Sequence, residues 1–170
     1  MRQIKLIIFL MLIATISLGQ ICSFELKNIK FRGLDFTIEK EIITKTFGPG
    51  ERIETNYECG DFTNDQKNGP YYQLVYDYFI YIGCDNEKFL LQQVNFDIKG
   101  KAKIIYLNKE LNGQTTRDDF FKFFEIQANE YFKKHPDKNS ILLLSKGSDA
   151  GAIFSFKDNK LIKFEYWSPC

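Results

Sequence analysis

The chain has 170 residues, 44% of them apolar, with 23 basic and 22 acidic residues and a formal net charge of +1. No run of like charges occurs, so the sequence lacks the electrostatic footprint of a nucleic-acid or anionic-membrane binder. Rings make up 16% of the chain, mostly Phe and Tyr with a single Trp, enough to fill a core and leave some on the surface.

The first segment reads as an export signal over residues 1–19. Arg2 and Lys5 form a positive start, and Leu6 to Leu18 is apolar apart from Thr15 and Ser17. Ser17 and Gly19 supply the small residues expected before a cleavage site. The apolar run is about 13 residues, short of the roughly 20 that a membrane span needs. Cys22 follows Gly19-Gln20-Ile21, and the bulky Ile21 argues against a lipid anchor there. A mature chain starting near Gln20 holds about 150 residues, the size of one domain or of two small repeats sharing a core. Without Arg2 and Lys5 it carries 21 basic against 22 acidic residues. The expected location is the periplasm or the medium.

Phe24 to Phe31 alternates loosely and is expected as a strand. Thr37 then suits a helix N-cap with Phe36 as its staple, and Glu39 and Glu41 fall in the first turn. Ile38, Ile42, Ile43 and Phe47 repeat at helical spacing; Gly48 and Pro49 stop the helix. "ERIETNYEC" is a second strand, and "GDFTNDQKNGP" a loop by composition. Asp61, Thr63 and Asp65 have the spacing of a calcium loop. Its sixth and twelfth positions hold Gln66 and Tyr72 rather than Gly and Glu, so no metal is expected.

"YYQLVYDYFIYIGC" has the strongest alternation in the chain and is expected as one central strand, with Tyr76, Tyr78 and Ile80 on a common face. Strands follow over "FLLQQVNFDI" and "KAKIIYL". Thr116 caps a second helix, with Asp118 and Asp119 in its first turn and Phe120, Phe123 and Phe124 on its buried side; His135-Pro136 ends it. Three strands remain, "SILLLS", "AIFSFK" and "LIKFEYW", the last two joined by Asp158-Asn159.

This order gives an α+β fold of two helix-plus-antiparallel-sheet units, residues 20–112 and 113–170. Thr37 to Thr116 is an offset of 79 and Asp85 to Asp158 one of 73, two marks consistent with an internal duplication of about 75 residues. An exported chain with four cysteines is expected to form disulfides. Cys59 and Cys84 lie near strand ends in one half; bridging them closes a loop of about 26 residues, worth about 3.5 kcal/mol on the chain-entropy model. Cys22 with Cys170 would then tie the termini. No C-x-x-C motif supports redox or zinc chemistry.

"TIEKEIITKTFGPG" and the closing "FKDNKLIKFEYW" resemble the β-lactamase-inhibitor-protein-like family, whose unit is a short helical segment before a four-stranded antiparallel sheet, sometimes in tandem. The second unit departs from that pattern, with Glu125 and Ile126 where a Phe-Gly stop belongs. The family's inhibitors carry a disulfide in each half, which the cysteines here do not match. The resemblance implies fold, not inhibition.

Catalytic motifs are weak. His135, the one histidine, ends a helix among lysines with no orienting partner signalled. "KGSDAG" fails the nucleophile-elbow spacing. Glu58, Asp77 and Glu165 fall on expected strands and would serve a hydrolase only by converging. No cofactor motif occurs. The reading that remains is a non-catalytic protein-binding module with Tyr76, Tyr78, Tyr166 and Trp167 as contact residues, since Tyr and Trp give large contact at small entropic cost. The alternatives are a small-ligand carrier with an aromatic pocket and the carboxylate hydrolase.

Overall fold

The computed structural model describes residues 24–58, 60–63, 70–124 and 139–170. They form an α+β fold in which every ladder between named strands is antiparallel. Two sheets carry it. The smaller contains β1 (Ile29–Phe31), β2 (Leu34–Asp35), β8 (Lys103–Tyr106) and β9 (Lys109–Asn112), in the order β2-β1-β8-β9. The larger contains β4 (Glu51–Glu54), β5 (Tyr72–Val75), β6 (Phe79–Gly83) and β7 (Phe89–Asn95) from the first half. From the second half it takes β10 (Ser140–Leu144), β11 (Gly151–Lys157) and β12 (Lys160–Trp167). Its order is β10-β11-β12-β7-β6-β5-β4, with the short β3 (Thr37–Ile38) also pairing with β7. The helices are α1 (Lys40–Phe47) and α2 (Arg117–Phe123). Among the described residues no helix is long and apolar enough to cross a membrane.

Local chemistry accounts for the ends of these elements. Gly48 takes φ 81° and donates its N–H to the Thr44 carbonyl at 2.9 Å, closing α1. The Thr116 side chain accepts from the Asp119 N–H at 3.0 Å, opening α2. Thr37, by contrast, belongs to β3, and Glu39 occupies the N-cap of α1 without a side-chain bond. Pairing of Thr37 with Leu90 satisfies backbone groups that a cap would otherwise have used. Three hairpins turn on residue pairs with positive φ: Arg32-Gly33 (51° and 83°), Leu107-Asn108 (45° and 66°) and Asp158-Asn159 (50° and 61°). Two positive φ values in succession give the turn whose twist matches the flanking strands. Only the third was expected; the β1–β2 and β8–β9 hairpins are corrections to a reading that had single strands there.

A larger correction concerns residues 72–83. They are two strands rather than one, joined by a turn at Tyr76-Asp77-Tyr78 in which the Tyr76 N–H bonds the Phe79 carbonyl at 3.0 Å. The turn resets the alternation. Tyr72 and Leu74 point inward on β5, and Phe79 and Tyr81 do so on β6, so Ile80 faces outward. Eleven consecutive alternating positions, 72–82, look like one strand because rings sit on both sides of the turn.

Both sheets place one half of the chain against the other through a local twofold. The β1–β2 turn is closed by Phe31 and Leu34, the β8–β9 turn by Tyr106 and Lys109, which makes Lys30 the counterpart of Ile105; these two residues pair with each other. In the large sheet β6–β7 slips register at Ile80/Tyr81 and β11–β12 at Ser155/Phe156. Just beyond each slip Phe79 pairs with Val94 and Phe154 with Phe164, and Val94 pairs with Phe164. The row Phe79-Val94-Phe164-Phe154 is buried throughout and crosses the join of the halves.

The inner face of the large sheet packs on the small sheet and the helices. Phe79 lies 4.9 Å from Phe31 and 4.8 Å from Phe47; Phe154 lies 4.9 Å from Phe120. Each such ring, fully buried, contributes about 1.5–3 kcal/mol. Cys84, at the end of β6, is 1% exposed and carries a free thiol, so the expected Cys59–Cys84 bridge is not made. Its sulfur is packed inside as a small apolar group. Cys170 is disulfide-bonded. Cys22 and Cys59 lie outside the described residues, as do Asp65, Glu125, Ile126 and His135.

Candidate binding face

The second face of the large sheet is built by the residues that alternate with the core. One row crosses six of its strands: Leu142, Ile153, Glu165, Gln93, Ile80 and Val75, each paired laterally with the next, and Glu51 on the edge strand β4 pairs with Val75 beyond them. All six are half-buried. Four are β-branched or leucine, so the strip is apolar with a polar pair at its middle. Leu144, 48% exposed at the end of β10, and Trp167 continue the apolar surface on one side. Glu165 pairs with Lys163 at 2.7 Å, both on β12.

The segment 55–63 packs against one corner of this face. The Gln92 amide donates to the Tyr57 hydroxyl at 2.9 Å, and the Gln73 amide donates to the Gln92 side-chain oxygen at 2.8 Å and to Tyr57 at 3.3 Å. Asp61 accepts from the Tyr166 hydroxyl, while its backbone N–H donates to Ser168 Oγ at 3.3 Å. Phe62 lies edge-on to Tyr71 at 5.4 Å and to Tyr166 at 5.8 Å. Burial pushes the Tyr166 hydroxyl well above the ordinary phenol range, and the Asp61 carboxylate pushes it further. Tyr166 is thus a neutral donor fixing the 60–63 turn to the end of β12.

The four ring residues expected at the site fall into two separate pairs. Trp167 is on the outer face, with Tyr166 beside it turned toward Phe36 at 6.0 Å. Tyr76 and Tyr78 lie in the β5–β6 turn at another end of the molecule. Tyr76 stacks on Phe79 at 4.5 Å and donates to the Gly48 carbonyl at 3.0 Å. Its ring comes so near Gly50 that a Cβ there would sit 2.8 Å from it. Tyr78 holds the Arg32 guanidinium 5.4 Å above its ring. The outward residues Val75, Ile80, Gln93, Ile153 and Leu142 were not singled out from the sequence. For Val75 and Ile80 the signal was present as alternation, but its phase changes at Asp77.

The carboxylates do not converge. Glu165 is on the outer row, Asp77 in the β5–β6 turn, and Glu58 is exposed in the segment after β4. Among the described residues no group of three or more His, Cys, Asp or Glu is placed to hold a metal ion. No protein-family model, no curated protein and no solved structure matches this chain.

Proposed function

We propose that this chain is an exported, non-catalytic module that grips another protein through the outer face of its large sheet. The observation that carries the reading is the half-buried row from Leu142 to Val75: four apolar side chains flanking the Glu165–Gln93 pair on hydrogen-bonded strands, with Trp167 beside them. A surface of that kind excludes water over a broad area when covered, and strands hold it at little entropic cost. The basic start and apolar run of residues 2–18 support export. A carrier cavity between the layers finds less support, because Phe31, Phe47, Phe79, Phe120 and Phe154 fill that space.

The test is capture from the native periplasm or medium by the full mature protein, run beside the Ile80→Lys, Ile153→Lys double variant. A protein retained by the parent and lost by the folded variant supports the reading. Equal retention by both, or retention of nothing, overturns it.

A further inference from the structure

Next to the outer row, Tyr57, Asp61, Phe62, Glu165 and Trp167 border a depression of about 270 Å3. That is smaller than the few hundred to a thousand Å3 typical of cofactor sites and suits a single side chain. Among the described residues its charged side chains, Asp61 and Glu165, are both acidic, and no lysine or arginine lines it. Asp61 uses Oδ2 for Tyr166, and Glu165 uses Oε2 for Lys163, which leaves one oxygen on each carboxylate. The amide of Gln92 is committed to Tyr57 and Gln73. The site therefore offers carboxylate acceptors and the ring faces of Trp167 and Tyr57, and few donors. Its complement is a flat cation rich in N–H groups.

Resting on the protein-binding reading above, we propose that this depression receives an arginine side chain of the partner, its guanidinium stacked on Trp167 or Tyr57 and donating to Glu165. Arginine fits better than lysine, because a guanidinium is planar, weakly hydrated and stacks on rings while bonding a carboxylate. Tyr57, held by two amides, keeps its ring fixed before the ligand arrives.

Trp167 is the only tryptophan and reports on the site directly. The probe is N-acetyl-arginine amide, titrated into the full mature protein and followed by Trp167 fluorescence; N-acetyl-citrulline amide, its uncharged isostere, is the comparison. The expected result is a saturable change in the millimolar range with the arginine probe, about tenfold weaker with citrulline. It also weakens about tenfold in Glu165→Gln, as one charge-assisted contact implies. Glu110→Gln, on β9 in the small sheet, binds like the parent. No saturable change, equal response to citrulline, or undiminished binding by a folded Glu165→Gln overturns the proposal. Any of these results leaves the sheet-face reading standing, because that depends on the Ile80 and Ile153 variant.

Discussion

Tyr81 is fully buried on β6 between Phe47 and Phe79, and its hydroxyl has no hydrogen-bond partner among the described residues. Burial raises its pKa well above the ordinary phenol value, which favours the neutral hydroxyl. Removing the oxygen as Tyr81→Phe should therefore stabilise the fold. An unpaired buried hydroxyl costs about 1–3 kcal/mol. The void left behind is at most roughly one water probe, about 10–15 Å3, and at about 24 cal/mol per Å3 returns only ~0.3 kcal/mol of that. The net expectation is a gain of about 1–2 kcal/mol, or a rise in Tm of roughly 2–8 °C for a domain of this size. Urea unfolding followed by Trp167 fluorescence measures it, with an unchanged m-value as the sign that only stability moved. Tyr72→Phe is the matched control. Its hydroxyl donates to Asp85, so the same chemical change should destabilise. A loss of stability in Tyr81→Phe would show that the hydroxyl is bonded, and the reasoning would fail.

Thr116→Ala removes the cap of α2 and is expected to cost about 1 kcal/mol in the same unfolding assay, with Thr116→Ser close to the parent. The Lys40 ammonium at 2.6 Å and the Tyr72 hydroxyl hold the Asp85 carboxyl below its ordinary range. A lowered folded pKa gives stability that is complete above the unfolded value and is lost as pH falls through the folded one. The acid limb of a stability–pH curve should therefore flatten below about pH 4 in Asp85→Asn relative to the parent. Peptide mapping without reduction should return Cys84 as a free thiol and Cys170 cross-linked.

Much of the fold can be read from short stretches. The Thr116 cap, the Gly48 stop and the Asp158-Asn159 turn depend on atoms within four residues of each other, and each behaves as its chemistry requires. Arg32-Gly33 and Leu107-Asn108 form the same kind of turn, but their residues are weaker signals. Arg and Leu adopt positive φ only under the pull of the strands beside them. The binding face was harder to read. The place of Ile80 in its row depends on the phase of β6, and that phase is set by where the chain reverses at Asp77.

The amino-acid order by itself determined the class of fold, the antiparallel habit, the Gly48 stop and the Thr116 cap, because these follow from alternation, caps and turn residues acting over a few positions. Tertiary structure alone decided that Lys30 meets Ile105 and Val94 meets Phe164, that Cys84 stays a thiol, and that Ile80 rather than Tyr78 looks outward. Contacts between residues 70 or more positions apart form when two apolar faces are buried together, and a shift of one residue would turn every side chain to the wrong side.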